Sequence, residues 1–251
     1  MTQPFVRVVD LETTGSRPPG DRVVEIGWQD VILGDDGDWH VALDRRGALY
    51  VDPQKPIPAV TMAVHHIRDQ DVAGAPTWEA AAAQVLREEP RPLAFAAHRA
   101  SFEQRFCTPA LTGGADWICT WKGALRIWPD SPSFSNQVLR YWRDPTGLDH
   151  QTGLPAHRAF PDAYVTAHHL RDMLAEVSVS TLVGWNALPG LLPRVPYGPE
   201  RGRSWHELDD ALLQRFVSDK DTDVRYSALE EVARRSGQPR QAAPEPQARL
   251  F

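Results

Sequence analysis

A strand pattern near the N-terminus ends in two carboxylates, and this feature constrains the fold most strongly. Residues 4–11 are mostly apolar and predict a buried strand, and the sequence "VVDLETTG" places Asp10 and Glu12 at its end. Side chains alternate along a strand, so the two carboxylates point the same way. Close like charges repel unless a cation lies between them, and Mg²⁺ or Mn²⁺ suits oxygen ligands. The alternative is a charge pair that faces solvent.

Strand patterns come first along the chain and then alternate with helical patterns. Predicted strands span residues 4–11, 22–33 and 39–52, and the "GDDGD" turn joins the second to the third. The short apolar segments "PLAFAA" and "WICT" predict two further strands. This order predicts an α/β fold with a mixed sheet flanked by helices.

Several helix boundaries are predicted from local signals. Ser101 with Gln104 three residues later is a candidate capping box. Helices are expected near residues 120–128 and 135–143. Pro161 suits the first position of a helix that runs to about residue 176.

The composition of the chain changes near Val179. A turn-rich basic stretch precedes helical patterns near residues 206–217 and 222–235, and the final residues are rich in Pro, Ala and Gln, which is typical of disorder. The predicted division is a main domain at 1–178, a small C-terminal helical module at 179–236 and a disordered tail at 237–251.

Composition excludes some classes of protein. A net charge of −6 argues against a general nucleic-acid coat, which would be basic, but an enzyme whose metal ions supply positive charge stays possible. The sequence lacks an apolar run of membrane-spanning length and a signal-peptide pattern, so no membrane partner is expected. The cysteines, Cys107 and Cys119, have no metal-like spacing, which favours a reduced, cytoplasmic protein.

Two further clusters contain carboxylates. Glu103 lies in the first turn of the helix predicted after "PLAFAA". The sequence "HRAFPD" combines His157, at the end of a loop, with Asp162, just inside the next helix. A mobile histidine before a fixed carboxylate suits a general base beside a metal ligand. The alternative is an ordinary loop histidine and two acids that complement helix dipoles.

Taken together, these clusters resemble the DEDDh 3′→5′ exonucleases. D-x-E on the first strand, an "AH-x-x-x-F-acid" segment and "H-x-A-x-x-D" form that pattern. The segments "AHRASFEQRF", "WICTWKGALRIWP", "SNQVLRYW" and "HRAFPDAYVTAHHL" are most similar to exodeoxyribonuclease X and its relatives. The resemblance covers roughly residues 4–175 and implies an RNase H-like fold.

The resemblance also implies a two-metal phosphodiester hydrolase. Two Mg²⁺ or Mn²⁺ ions would activate water and stabilise the leaving 3′-oxygen. Asp10 is expected to bridge both ions, Glu12 and Asp162 to complete the nucleophile-side ion, and Glu103 to serve the other. His157 is expected to take the proton from the attacking water.

The sequence departs from the family pattern at two positions. The acid at position 103 is Glu instead of the usual Asp, and an extra methylene still lets it reach a hydrated ion. Arg99 occupies the position of the usual Asn and would either contact phosphate or face solvent.

Substrate contacts are implied at several further positions. Thr13, Thr14 and Gly15 occupy the family's terminal-nucleotide site, and His65 matches a segment that contacts the last nucleotide. Phe102 would stack on a base or pack in the core.

The C-terminal module and the tail suggest further partners. The module's basic stretch, with Arg194, Arg201 and Arg203, would grip a nucleic-acid backbone or form a solvated turn. In the tail, Gln247, Leu250 and Phe251 resemble a bacterial sliding-clamp-binding pentapeptide, which inserts apolar side chains in a pocket while the Gln fixes the register.

Three functions are consistent with the sequence. The first is a metal-dependent 3′→5′ exonuclease on DNA, in repair or replication. The second is an RNA-trimming exonuclease of the same fold, because one hydroxyl contact decides the sugar preference. The third is a non-catalytic, clamp-tethered nucleic-acid-binding protein, for which the unusual Glu103 is the argument.

Overall fold

A five-stranded mixed sheet forms the centre of the computed structural model, which describes residues 3–237. The strands are β1 Phe5–Thr13, β2 Val23–Leu33, β3 Trp39–Tyr50, β4 Ala94–Ala97 and β5 Trp117–Cys119. Their spatial order is β3-β2-β1-β4-β5. β1, β2 and β3 form an antiparallel meander, whereas β4 and β5 run parallel to β1. The predicted α/β fold with a mixed sheet is therefore confirmed.

Helices cover both faces of this sheet and build the C-terminal module. They are α1 Ala59–His65, α2 Asp69–Val72, α3 Trp78–Leu86, α4 Glu103–Phe106, α5 Pro109–Thr112, α6 Thr120–Ile127, α7 Asn136–Arg143, α8 Ala159–Leu174, α9 Val179–Ala187, α10 Asp210–Phe216 and α11 Thr222–Arg235. Within residues 3–237, every helix is too short or too polar to cross a bilayer.

The central strand β1 contributes to two hydrophobic cores because its side chains alternate. Val6 and Val8 pack in the core that α8 covers, whereas Val9 and Leu11 pack in the opposite core with α3. The side chain of Asp10 lies on the same face of β1 as those of Val6 and Val8. The carboxylates at the end of β1 therefore lie on the face of the sheet that α8 covers.

The start of α8 lies directly on the backbone of β2 at Gly27. Gly27 pairs with Asp10 across the β1–β2 ladder. A Cβ atom at Gly27 would lie 2.2 Å from the carbonyl carbon of Ala159 and from the backbone nitrogen of Phe160. Glycine is the residue that permits such a close approach of two backbones. This contact brings the first turn of α8 beside the end of β1.

Helix α8 begins two residues before the predicted Pro161. The backbone N–H of Ala159 donates to the carboxylate of Glu25 on β2 at 3.0 Å. A carboxylate from a residue distant in the sequence thus accepts one of the free N–H groups in the first turn of α8. This hydrogen bond favours a helix that begins at Ala159 instead of at Pro161. Local sequence does not contain this signal because the partner lies 134 residues away.

Two other predicted helix starts were wrong. The capping box of Ser101 and Gln104 does not form, because the N–H of Gln104 donates to the carbonyl of Ala100 at 2.9 Å. The single helix expected near residues 206–217 is divided into a 3-10 turn, Trp205–Glu207, and α10, because Asp209 caps the second piece.

Residues of the C-terminal module form a small hydrophobic core of their own. Its buried members are Val195, Trp205, Leu208, Leu213, Phe216, Val224 and Ala228. Helix α9 lies before this core and packs Leu182 against the α8 side of the sheet. The boundary between residues 178 and 179 stays a prediction.

We expect Gly27→Ala to lower the free energy of unfolding by about 1–3 kcal/mol or more, because the added methyl group overlaps the backbone of α8. A thermal melt would measure this as a loss of roughly 2–4 °C per kcal/mol. Gly20→Ala is the matched control, since its Cβ would lie 3.4 Å from the carbonyl oxygen of Arg17, an ordinary contact distance. Equal melting temperatures for the two variants would contradict the close approach of α8 to β2.

Candidate active site

Three carboxylates meet where the end of β1 faces the first turn of α8. Asp10 and Glu12 extend from β1 and Asp162 from α8, and one oxygen of each lies within 4.8 Å of the others. Asp10 and Glu12 are half-buried, whereas Asp162 is buried. The structure thus brings together three of the four predicted metal ligands. Their spacing suits a divalent cation bound by carboxylate oxygens.

The carboxylate of Asp162 is held by two neighbouring elements. One oxygen accepts the backbone N–H of His157 at 2.7 Å, and the other accepts the side-chain amide of Gln137 at 2.6 Å. The amide of Asn136 also donates to the backbone carbonyl of Asp162 at 3.2 Å. These bonds fix the carboxylate and leave lone pairs available for a metal ion.

Sequence reasoning missed Asn136 and Gln137 as supports of the site. They form the first turn of α7, whose N-cap Ser135 accepts from the N–H of Val138. The segment "SNQVLRYW" contributed to the family resemblance. Two amides at the start of a helix are a usable signal, but their partner, Asp162, is 25 residues from Gln137 and only the fold identifies it.

Glu103 lies beside the three carboxylates and outside their tightest grouping. Its side chain is buried at 3% exposure, and Oε2 has no hydrogen-bond partner within residues 3–237. Its charge nevertheless contributes to the raised pKa of Asp10. A buried carboxylate oxygen without a partner is unfavourable, so a hydrated metal ion is a suitable partner for Glu103.

The four acids are protonated more readily than ordinary carboxyl groups. Burial, followed by the charge of neighbouring acids, raises the pKa of Glu12 to about 8 and that of Asp10 well above its usual value. Burial also raises the pKa of Glu103 to about 8 and raises that of Asp162. The charges of Arg158 and Arg105 lower the pKa of Glu12 and Glu103 but do not offset these rises, so four ionised carboxylates need further positive charge. Divalent cations would supply that charge, so the donor set fits the predicted ions.

His157 is exposed at the loop end immediately before α8. It has a left-handed backbone conformation, with φ of 61°, which is uncommon for a residue with a side chain. The hydrogen bond from its backbone to Asp162 holds it in place. The backbone of His157 is therefore held at the edge of the acidic cluster, and its role as a general base stays a prediction.

Glu25 organises the start of α8 and does not join the acidic cluster. Arg158 donates to its two carboxylate oxygens at 2.6 and 3.0 Å, and also to the hydroxyl of Tyr50 at 2.9 Å. Glu25 accepts the N–H of Ala159 as well. Paired hydrogen bonds of this type fix orientation, so Glu25 positions the residues on either side of Arg158.

His98, which follows β4, is a structural histidine. Its Nε2 lies 2.8 Å from the carbonyl oxygen of Phe134 and therefore carries the proton, while Nδ1 lies 3.0 Å from the hydroxyl of Thr120. Burial lowers the pKa of His98 to about 3. Because both ring nitrogens are bound within the protein, His98 is neither a base nor a metal ligand.

The predicted terminal-nucleotide residues form the turn after β1. The hydroxyl of Thr13 donates to the carbonyl of Gly15 at 2.6 Å, and the hydroxyl of Thr14 accepts the N–H of Arg22 at 3.0 Å. These hydroxyl groups shape the turn. At Gly15, a Cβ atom would lie 2.5 Å from the carboxylate of Asp21. The binding of a nucleotide by this turn stays a prediction.

Three other predicted substrate contacts have different environments. His65 is buried, with Nδ1 accepting the N–H of Ile67 at 3.0 Å. Phe102 is half-buried and packs against Phe106, with ring centroids 5.5 Å apart. Arg99 is exposed, and its guanidinium lies over the ring of Trp121. The structure thus supports a packing role for Phe102, while substrate binding stays a prediction for all three.

The architecture and the acidic cluster agree with the comparison to known families. The model of the exonuclease family (RNase_T) matches residues 8–170, which include all four acids and His157. The chain belongs to the exonuclease family.

Similar proteins include other exonucleases. This exonuclease is 31% identical to exodeoxyribonuclease 10 of Escherichia coli strain K12 over 80% of this chain and 83% of that protein. It is 30% identical to a solved structure of Exonuclease X in complex with 5′ overhanging duplex DNA, with a TM-score of 0.54 over 72% of this chain and 98% of that chain. The predicted family is therefore confirmed.

More distant structures support the fold alone. Escherichia coli Exonuclease I in complex with a dA16 oligonucleotide is 15% identical, with a TM-score of 0.52 over 70% of this chain and 41% of that chain. The cell-death related nuclease CRN-4 is 16% identical, with a TM-score of 0.54 over 80% of this chain and 75% of that chain. The RNase H-like architecture of this exonuclease is confirmed.

In metal-free protein, we expect the acidic cluster to reduce stability as the pH rises from about 5 to about 8. The pKa of Glu12 and of Glu103 is about 8 in the folded protein, whereas a glutamate in an unfolded chain titrates near about 4.3. The folded state binds more protons in this range, so raising the pH favours unfolding. Thermal melts with a chelator would measure the fall, and Mn²⁺ at about pH 8 should reverse it.

The matched control removes the titrating groups. Glu12→Gln combined with Glu103→Gln should give a smaller fall in melting temperature over the same pH range. If the parent and this double variant lose stability equally, the pH dependence comes from other groups.

Proposed function

We propose that this exonuclease removes nucleotides from DNA 3′ ends with the help of two divalent ions, Mg²⁺ or Mn²⁺, in repair or replication. The observation that carries the proposal is the convergence of Asp10, Glu12 and Asp162 within 4.8 Å, beside the buried Glu103, whose Oε2 has no hydrogen-bond partner among residues 3–237. The similarity to exodeoxyribonuclease 10 and to an exonuclease bound to duplex DNA supports DNA as the substrate.

Each acid would have a distinct role. Asp10 would hold both ions, whereas Glu12 and Asp162, whose oxygens lie within 4.8 Å of it, would hold the ion on the side of the attacking water. Glu103 would hold the second ion. When bound, the ions would supply positive charge for the phosphodiester and for the leaving oxygen.

His157 would act as the general base. Its position at the edge of the cluster lets it take the proton of the water while its side chain stays exposed to solvent. Gln137 and the backbone of His157 would hold Asp162 during the reaction. Arg158 and Glu25 would maintain the position of the loop that carries His157.

In this proposal Glu103 is a metal ligand of the enzyme. Its presence in place of aspartate therefore does not favour the non-catalytic binding protein. A glutamate is one methylene longer than the usual aspartate, and Glu103 begins the short helix α4, which contacts β1. Its burial, and the absence of a hydrogen-bond partner for Oε2 in the described part of the chain, support a role as a ligand, directly or through water.

A cleavage assay tests the proposal. A single-stranded DNA labelled at its 5′ end should give a ladder of shortened products with Mg²⁺ or Mn²⁺. Asp10→Asn, which keeps the shape of the side chain and removes its charge, should reduce the rate at least about 10³-fold because charge stabilisation of the reacting phosphodiester is lost.

The same assay separates the alternatives. A matched RNA strand that is trimmed faster than DNA would support an RNA-trimming enzyme. Intact strands with both ions, accompanied by retained strand binding, would support a non-catalytic protein and reject the proposed activity.

A sliding clamp is a second proposed partner, on sequence grounds alone. Gln247, Leu250 and Phe251 lie outside the described residues 3–237. A short peptide with a Leu-Phe pair is expected to bind roughly micromolar, enough to raise the local concentration at replicating DNA. This role would also place the protein in the cytoplasm, the compartment that the free cysteines favour.

Deletion of Leu250 and Phe251 should abolish binding to purified bacterial clamp and leave cleavage of free oligonucleotides unchanged, because the pair lies far along the chain from the acidic cluster. Surface plasmon resonance against immobilised clamp would measure the loss. Gln241→Ala serves as the control in the same tail. Unchanged clamp binding after the deletion would reject the motif.

A further inference from the structure

A cavity of about 530 Å³ lies between the main domain predicted at residues 1–178, which is the catalytic domain, and the C-terminal module predicted at residues 179–236. One wall comes from the end of β4, from α6 and from the loop at residues 129–136, and the other comes from residues 192–202 of the module. This volume is in the range of sites that bind small molecules or parts of larger ligands. The predicted metal ligands do not line it, so the cavity is distinct from the acidic cluster.

The charge of the cavity is opposite to that of the chain. Arg99, Arg194 and Arg201 line it, and its lining within the described part of the chain includes no Asp or Glu. Across residues 3–237, none of these three arginines forms an ion pair. A protein with a net charge of −6 therefore has three uncompensated positive charges around one cavity. This arrangement selects an anionic ligand.

Arg99 is held in place by an aromatic ring and by an uncommon backbone conformation. Its φ is 68°, in the left-handed region that residues with side chains seldom adopt. Its guanidinium lies 4.1 Å from the ring centroid of Trp121. Trp121 is itself buried, and its ring packs closely on Gly190, where a Cβ atom would lie 2.7 Å from the ring. Such local strain is found where a side chain is held for binding.

The cavity adjoins the acidic cluster. Asn136 lines the cavity and also donates to the backbone carbonyl of Asp162 at 3.2 Å. His98 lines it as well and follows β4, which pairs with β1. A strand whose 3′ end reaches Asp10 and Asp162 therefore has a positively charged cavity next to it.

Trp205 of the module packs in the module's own core and offers no stacking surface to the cavity. Trp205 is buried and donates to the carbonyl of Leu192 at 2.6 Å. Arg203 donates to the carbonyl of Glu207 at 2.6 Å, within the module. The catalytic domain supplies the aromatic side of the cavity instead, through Trp121 beneath Arg99 and the half-buried Phe134.

We propose that this cavity binds the single-stranded DNA segment immediately 5′ of the terminal nucleotide held at the acids. The proposal rests on the proposed exonuclease function and adds a second binding site to it. Arg194 and Arg201 would contact phosphates, and the planar groups of Arg99 and Phe134 would stack on bases. The module therefore serves as one wall of the strand-binding site.

Charge reversal at Arg201 tests the proposal. Arg201 is exposed, and its side chain makes no hydrogen bond within residues 3–237, so Arg201→Glu should preserve the fold. Lys220→Glu is the matched control, because it changes the charge of the same module by the same amount at an exposed position outside the cavity. Thermal melts of both variants would verify folding, and Arg201→Ala provides a milder change.

Binding of a fluorescent 16-nucleotide oligothymidylate should be measured by anisotropy in the Asp10→Asn background, where the strand is not cut. Relative to Lys220→Glu, we expect Arg201→Glu to weaken binding at least about tenfold and Arg201→Ala to weaken it less. The slope of log affinity against log salt should decrease by about 0.7 for each phosphate that the variant no longer neutralises. Equal affinities and slopes for Arg201→Glu and Lys220→Glu would overturn the proposal.

Cleavage kinetics separate this proposal from the proposed function. With Asp10 intact, Arg201→Glu should raise KM for the same strand about tenfold and leave kcat within about twofold, since the cavity lies outside the acidic cluster. A lowered kcat with unchanged KM would also overturn the proposal. A parent protein that binds the strand but never cleaves it would reject the exonuclease function, while the anisotropy comparison would still decide the role of the cavity.

Discussion

The contact between the first turn of α8 and the backbone of β2 is the constraint on which the candidate active site depends. It requires a glycine at position 27, because a Cβ atom there would lie 2.2 Å from backbone atoms of α8. Glu25, on the same strand, binds Arg158 and the N–H of Ala159 on the other side of this contact. Together they place Asp162 beside Asp10, although the two residues are far apart in the sequence.

This arrangement creates an electrostatic problem within the site. Burial raises the pKa of Asp10, Glu12 and Asp162, and repulsion from neighbouring acids adds to the rise at Asp10 and Glu12. An acidic protein with such a cluster is poorly suited to a phosphodiester on its own. Divalent cations resolve both difficulties, because they neutralise the acids and attract the substrate.

The C-terminal module extends this electrostatic scheme beyond the acids. Its own core, built around Trp205 and Phe216, lets residues 192–202 lie against the catalytic domain. The resulting cavity has arginines from both parts of the chain and, among residues 3–237, no acidic side chain in its lining. The exonuclease would therefore use metal ions at the reacting end of the strand and arginines along the rest of it.

The sequence by itself determined the order of the strands along the chain and the alternation that puts Asp10 and Glu12 on one face of β1. It also determined the family. The strand properties depend on short-range periodicity, and the family depends on several separate motifs whose residue types and spacing are visible in the sequence itself. The signal for the helix expected near residues 135–143 was likewise local, and α7 spans Asn136–Arg143.

Only the tertiary structure decided where α8 begins, which amides hold Asp162, and that Arg99 lies over Trp121. Glu25 and Ala159 are 134 residues apart, so their hydrogen bond depends on how a helix packs on a strand. Helix propensity and capping rules favoured Pro161 as the start because they describe a chain segment without its neighbours. Packing between distant segments decides such contacts, and local sequence does not encode it.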